Sequence, residues 1–325
     1  MRAVLCSEYG TQDKLSIAEV DDPAAGPGEV VIDIAAASLN FPDLLVIAGL
    51  YQFKPDPPFV PGMEGSGTVS GVGQDVTHVN VGDRVMAVGV QGAFADRWVV
   101  DAGSVTPIPD DMDFETAAAL TLAFGTSYHA LKQRAGLQPG ETLLILGAAG
   151  GVGSSAIEIG KAMGATVIAA ASSDEKLEFC RELGADTTIN YATEDLKARV
   201  REITDGRGAD VIYDPVGGEL TEQAFRSIAW KGRHLVVGFA AGDIPKIPLN
   251  LPLLKGASIV GVFWGSFTSL ERDESLRNGA ELFQMLSDGI LEPRVTNVFP
   301  LEEYEAAFDL MASRKATGKV VLRIN

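Results

Sequence analysis

Residues 141–176 read ETLLILGAAGGVGSSAIEIGKAMGATVIAAASSDEK, and the order of side-chain types along this stretch decides the fold. An apolar run, Leu143–Leu146, leads directly into Gly147, Gly150, Gly151 and Gly153. From Ser154 to Met163 the spacing is helical, with Val152, Ala156, Ile159 and Met163 on one face. A second strand-like run follows at Thr166–Ala171. Glycines in such a turn let the backbone reverse sharply and approach a bound group without Cβ obstruction. The N–H groups and dipole of the helix start then favour negative charge. With a strand before, a helix after and a second strand at this distance, the motif reads as a cradle for a dinucleotide pyrophosphate. Its residues are Gly147, Gly150, Gly151, Val152 and Gly153.

Outward from this stretch the alternation continues. Further strand-like runs are Thr187–Asn190, Asp210–Tyr213, His234–Gly238 and Ser258–Phe263, and helical ones are Asp174–Leu183, Glu194–Thr204 and Glu219–Trp230. Gly184 stands where a left-handed cap would close the second helix. Strands separated by helices predict a parallel sheet covered on both faces, and six of them predict a doubly wound α/β domain. Upstream the pattern differs. Gly and Pro punctuate the short runs EVVIDIAAASL from Glu29, GTVSGVG from Gly67, VGDRVMAVG from Val81 and FADRWVV from Phe94. These predict antiparallel strands, with a hairpin turn at Gly82-Asp83. FETAAALTLAFGTSYHALKQRAGL from Phe114 is helical in spacing. After Trp264 come the helix-like ESLRNGAELFQMLSDG and strand-like segments ending in KVVLRIN. About sixty residues are too few for a third core, so they are expected to return to the first domain. The expected domains are 1–122 with 266–325, and 123–265.

A chain of 325 residues agrees with two domains. The 26 basic and 44 acidic residues give a net charge of -18, which repels nucleic acid and anionic lipid surfaces. No apolar run reaches the roughly 20 residues that span a bilayer, and MRAVLCSEYG lacks a signal-peptide pattern. A cytoplasmic, membrane-free protein is expected. Cys6 and Cys180 lie far apart in ordinary segments and read as thiols in a reducing compartment. His78, His129 and His234 are scattered, and no metal-ligand spacing links them to the cysteines.

Selection between the two nicotinamide cofactors falls at the end of the second strand of the quoted stretch. An acidic residue about 20 positions past the glycines would hold the adenosine ribose of NAD. Here stand Ser172 and Ser173, then Asp174, Glu175 and Lys176. Two hydroxyls and a lysine suit a 2′-phosphate and favour NADPH over NADH. Asp174 is the competing signal, read here as the N-cap of the next helix.

Taken with ASLNFPDLLVIAGLYQ from Ala37, PGMEGSGTVSGVG from Pro61 and GDRV from Gly82, the glycine loop resembles the medium-chain dehydrogenase/reductase superfamily. Within it the chain resembles the zinc-independent NADPH:quinone oxidoreductase branch, over essentially its whole length. The resemblance implies a β-rich GroES-like catalytic domain split around a Rossmann domain, with the cofactor in the cleft between them. It also implies a homodimer meeting near Ala257–Gly265. It implies no metal. Gly62-Met63-Glu64 stands where zinc enzymes have His before Glu, and Asn40 stands where they have Cys. Two cysteines cannot build their four-cysteine lobe.

Residue roles follow from the same likeness. Asn40, Asp43 and Tyr51 match positions lining the nicotinamide cleft and are the catalytic candidates, with Asn40 also touching cofactor. Thr126 matches a contact on the nicotinamide side, and Lys176 and Tyr191 match the 2′-phosphate and adenosine end. Gly238, Phe239 and Ala240 match the segment beneath the nicotinamide ribose. Phe263 and Trp264 border the same pocket, and Lys319 matches a residue that approaches the cofactor. Each also has a structural reading: helix capping for Asn40 and Asp43, packing for Tyr51, core or dimer contact for Phe263 and Trp264, a solvated strand end for Lys319.

Hydride transfer without a metal relies on positioning in a cleft that excludes water. A quinone accepts hydride readily. An α,β-unsaturated thioester or ketone also needs an acid for its α-carbon, and Tyr51 is the candidate. The expected function is therefore reduction of a small-molecule quinone or activated enone by NADPH. The alternatives are an enoyl-thioester reductase with Tyr51 as proton donor, and a cofactor-binding protein of low turnover.

Overall fold

Apolar runs that are buried on both faces need helices above and below them, and residues 142–261 supply both. In the computed structural model, which describes residues 1–325, six parallel strands form one sheet: β1 (Thr142–Leu146), β2 (Thr166–Ala171), β3 (Thr187–Asn190), β4 (Ala209–Asp214), β5 (Ile228–Val236) and β6 (Ser258–Gly261). Their order is β3-β2-β1-β4-β5-β6. The order reverses between β1 and β4, the switch point of a doubly wound sheet. Helices α1 (Gly151–Ala162), α2 (Asp174–Glu182), α3 (Leu196–Ile203) and α4 (Gly218–Arg226) occupy the first crossovers. Every residue of β1 is buried. So is all of α1 from Gly153 to Gly160, on more than the single face that its spacing predicts. Small residues allow that: a Cβ on Gly160 would meet Leu143 Cδ2 at 2.7 Å. Gly184 has φ +97° and ends α2 as expected.

Several boundaries in this unit differ from the sequence reading: the strand expected over His234–Gly238 runs Ile228–Val236 and that expected over Ser258–Phe263 stops at Gly261, and two of the shifts have a clear local cause. The helix expected over Glu219–Trp230 stops at Arg226, because Ile228 pairs with Ala209 and opens β5. Ile228 and Ala229 are buried in the sheet while Trp230 is exposed. The third helix starts at Leu196 rather than Glu194, because the Asp195 carboxylate caps it through the Ala198 N–H at 2.8 Å.

The chain forms two compact units, Met1–Leu122 with Pro293–Asn325, and Ala123–Glu292. The compact units thus divide at 293, beyond the expected return at 266. The helices Trp264–Leu270 and Arg272–Ser287 belong to the second unit, where Phe267 stacks on His129 with ring centroids 3.9 Å apart. Tyr128 donates its hydroxyl to Glu281 at 2.6 Å, and Gln133 donates to Asn278 at 2.9 Å. The amphipathic pattern of this segment specified a buried face but not the unit that buries it.

The first unit holds a seven-stranded sheet built on the eleven-residue strand Glu29–Leu39, beside a two-stranded one of Arg2–Cys6 and Leu15–Glu19. That strand pairs antiparallel with Glu64–Val72, Arg97–Asp101 and Lys319–Arg323. Val295–Pro300 lies parallel to Lys319–Arg323 at one edge. Phe94 and Phe308 meet edge to face in the core, 6.0 Å between centroids. The register sets Val320 opposite Leu39 and Glu64 opposite Ser38. It therefore gathers Lys319, Asn40 and Glu64 at the same end of three adjacent strands. Both cysteines are free and buried, and burial pushes the Cys180 thiol up to about 12. No helix is long and apolar enough to cross a membrane.

Candidate active site

At that strand end the first unit buries four polar side chains, Asn40, Asp43, Glu64 and Lys319. Lys319 is only 3% exposed, so it is not a solvated strand-end lysine. Its ammonium donates to Asn40 Oδ1 and to Glu64 Oε1, both at 2.6 Å. Asn40 Nδ2 donates to the same Glu64 oxygen at 2.8 Å and to the Ser38 carbonyl at 3.2 Å. Glu64 Oε2 accepts from the Leu122 N–H at 2.9 Å. Glu64, absent from the sequence-derived site, is the hub of the cluster. Both carboxamide protons of Asn40 are engaged, which leaves a ligand only an acceptor lone pair on Oδ1.

Asp43 sits in the first turn of the helix Phe41–Ile47 and accepts from the Asn40 backbone N–H at 2.8 Å. The capping reading of Asp43 is therefore realised. Its Oδ1 has no hydrogen-bond partner of ordinary geometry. Burial pushes this carboxyl up from 3.8 to about 7, opposed by the Asn40 N–H, helped by the Glu64 charge and opposed again by Lys319. With two carboxylates and one ammonium so close, Asp43 is the group that takes up a proton. Tyr51 is half-buried and packs against the same core. Burial, and then the charge of Asp43, raise its phenol above the usual range, so the hydroxyl keeps its proton.

In the second unit the β1–α1 turn has the form that the glycines predict. Gly147 has φ +56°, and a Cβ there would fall 2.8 Å from Val216 Cγ2. A Cβ on Gly153 would collide with the Gly147 carbonyl and the Ala148 backbone. Gly150 is the N-cap of the twelve-residue α1 and no side chain caps it, so the N–H groups of the first turn remain available to an anion. A group of buried hydroxyls that no local pattern announces braces this helix start. Ser127 Oγ lies 2.9 Å from the Val152 carbonyl, 2.9 Å from Ser155 Oγ and 2.8 Å from Tyr213 Oη. Thr126, half-buried, is its neighbour in the chain. The Trp264 indole lies on Gly125, where a Cβ would come within 2.8 Å of it. Phe263 is 51% exposed at the start of the same helix.

At the end of β2 the donors converge. Lys176 Nζ reaches Ser172 Oγ at 3.5 Å, and Ser173 Oγ accepts from the Lys176 N–H at 3.4 Å. Burial draws the Lys176 ammonium below its usual pKa. The N-cap of α2 is Ser173, not Asp174 as expected. Asp174 is instead anchored to β3: its Oδ1 accepts from Asn190 Nδ2 at 2.9 Å, while Asn190 Oδ1 accepts from the Ala192 N–H at 3.1 Å. Tyr191 follows and packs on the sheet core. Gly238, Phe239 and Ala240 leave β5 and turn back over Pro215, whose carbonyl accepts from the Ala240 N–H at 3.1 Å. The glycine turn and uncapped helix fit a diphosphate, and the Ser172–Lys176 pair fits a further phosphate. No three His, Cys, Asp or Glu side chains are grouped to hold a metal. His129 stacks on Phe267, His234 is bonded to Asp214, and His78 is exposed.

Two family models match the chain: the alcohol dehydrogenase GroES-like domain over residues 26–110, and the zinc-binding dehydrogenase over 151–281. The quinone oxidoreductase-like protein 2 homolog of Nematostella vectensis is 38% identical over 99% of this chain and 88% of its own length. Quinone oxidoreductase of Pseudomonas aeruginosa is 36% identical over 97% of each chain. Among solved structures, Escherichia coli quinone oxidoreductase complexed with NADPH superposes with TM-score 0.93 at 28% identity over 100% of both chains. The CurK enoyl reductase gives TM-score 0.91 at 30% identity, covering 100% of this chain and 99% of that one.

Two outcomes follow from the buried cluster. Between pH 4 and pH 7 the folded protein holds a proton on Asp43 that the unfolded chain has released. Stability should therefore fall as pH rises through that window and level off above it. Asp43→Asn should flatten the slope, and melting curves of wild type and variant that stay parallel from pH 4 to 8 would refute the assignment. Lys319→Met strands Glu64 as a buried charge and should lose about 3–5 kcal/mol in urea unfolding. Adding Glu64→Gln should recover part of that loss; no recovery would show that the ion pair is not its source.

Proposed function

The chain belongs to the zinc-independent branch of the medium-chain dehydrogenase/reductase family, and on that premise we propose that it reduces a quinone or similarly activated enone with NADPH. The observation that carries this reading is the uncapped start of α1 beneath its glycines, combined with the Ser172–Lys176 donors at the end of β2. Asp174, the side chain that would favour NADH, is engaged by Asn190. The likeness to an Escherichia coli quinone oxidoreductase complexed with NADPH supports the same cofactor.

When bound, NADPH supplies the hydride. The first-turn amides of Gly151, Val152 and Gly153 hold the diphosphate, and Ser172, Ser173, Lys176 and Tyr191 hold the 2′-phosphate. Thr126, Gly238, Phe239, Ala240, Phe263 and Trp264 orient the nicotinamide half. In the first unit, Glu64 fixes Asn40 and Lys319, so this polar cluster does not need to reorganise during reaction. Tyr51 retains a transferable proton.

A second reading is an enoyl-thioester reductase in which Tyr51 protonates the α-carbon. The likeness to CurK enoyl reductase is in its favour. NADPH and NADH consumption with a panel of quinones, enones and enoyl-CoA esters separates the readings. Quinone turnover with NADPH, unaffected by Tyr51→Phe, is the expected result. Loss of thioester reduction alone in Tyr51→Phe would establish the second. Better use of NADH would overturn the cofactor assignment, and NADPH binding with no turnover on any acceptor would leave a binding protein of low activity.

We propose further that the protein is a homodimer. Strand β6 is the outer edge of its sheet with Ile259 exposed, and Leu253, Leu254 and the 67% exposed Trp230 lie in the neighbouring segments. An exposed apolar edge of this kind invites pairing, and a second copy related by a two-fold axis would cover it by strand pairing. Sedimentation should give a dimer that Ile259→Lys dissociates; a monomeric wild type would exclude it.

A further inference from the structure

Asp214 ends β4 and is 3% exposed. Its carboxylate is fully occupied. Oδ1 accepts from the N–H groups of Val216 and Gly217, both at 2.9 Å. Oδ2 accepts from Thr221 Oγ1 at 2.6 Å and lies 3.2 Å from His234 Nε2. These bonds fix the turn Pro215–Gly217 between the end of β4 and the start of α4. The turn then supports two other segments. On one side Val216 closes on Gly147, whose missing Cβ leaves the space that the valine fills. On the other side the Pro215 carbonyl accepts from Ala240 at 3.1 Å, and the Val216 carbonyl accepts from Ala241 at 2.8 Å. The Asp214 carbonyl itself accepts from Val237 at 3.0 Å. Phe239 lies against Gly217, where a Cβ would come within 2.9 Å of its ring.

Gly147 belongs to the diphosphate turn, and Gly238–Ala240 belong to the segment assigned above to the nicotinamide half. Both rest on one three-residue turn held by one carboxylate. We infer that Asp214 is a positioning residue for the cofactor, setting the distance between the diphosphate turn and the segment 238–240. The inference rests on the NADPH reading given above. Loss of the carboxylate frees the Val216 and Gly217 amides and lets Val216 drift from Gly147. A ligand that spans both segments then loses affinity. One that occupies only the adenosine end does not.

Calorimetric titration of the full chain with NADPH and with adenosine 2′,5′-bisphosphate distinguishes these ligands. Asp214→Ala should weaken NADPH by about tenfold or more while leaving the bisphosphate within about twofold. Asp214→Asn, whose amide oxygen still accepts from Val216 and Gly217, should weaken NADPH by only about threefold. An Asp214→Ala protein that binds NADPH as wild type does, or that loses both ligands equally, overturns the inference. If Asp214→Ala gives no cooperative melting transition, Asp214→Asn decides by the same comparison of the two ligands. A wild-type protein that binds neither ligand defeats the NADPH reading and this inference with it, whereas normal wild-type binding with unmoved variants defeats the inference alone.

Discussion

The rest of the second unit depends on how closely two pieces of backbone approach each other at the β1–α1 turn. Gly153 lies so near the Gly147 carbonyl that no side chain fits between them. That contact starts α1 directly after the end of β1, with no side chain capping its first turn. Ser127, Ser155 and Tyr213 then pin the helix from behind, and Asp214 shapes the turn against which Gly147 packs. Close approach of backbone, rather than any side-chain chemistry, leaves the start of this helix uncapped and open to an anion.

Much of this was legible in the sequence because it is local. Apolar runs, glycines and helical spacing between residues 141 and 184 report their own structure, and each strand in that stretch lies where its composition places it. Legibility fails where the answer depends on a distant partner. Ile228–Trp230 suits a helix or a strand, and only the pairing of Ile228 with Ala209 decides between them. Ser173 and Asp174 are both good capping residues, and the preference of Asn190 for Asp174 assigns the cap to serine. The helices over 264–287 are amphipathic either way, and contacts with distant residues such as His129, Gln133 and Tyr128 identify the unit they join.

The candidate site divides along the same line. Asn40, Asp43, Tyr51 and Lys319 could be singled out by resemblance, but their charges could not be balanced without knowing that Glu64 lies among them. A glutamate in a glycine-rich strand gives no sign of burial. Its neighbours come from strand register, in which Ser38 faces Glu64 and Leu39 faces Val320. The geometry changes what each residue can do. Asn40 becomes a fixed strut, Lys319 a buried counter-ion, and Asp43 a carboxyl able to hold a proton near neutral pH.

The contact between Lys319 and Glu64 spans 255 residues of chain, with the whole second unit made between them. On a ribosome, the strand that carries Glu64 emerges long before its cation exists. Until Lys319 arrives, the central sheet of the first unit lacks both an inner strand and the charge that makes burying Glu64 tolerable. The second unit, continuous from Ala123 to Glu292, has no such wait. The ion pair that neutralises Glu64 is thus completed only by the last strand of the chain, after the whole segment 123–292 that lies between the two halves of the first unit.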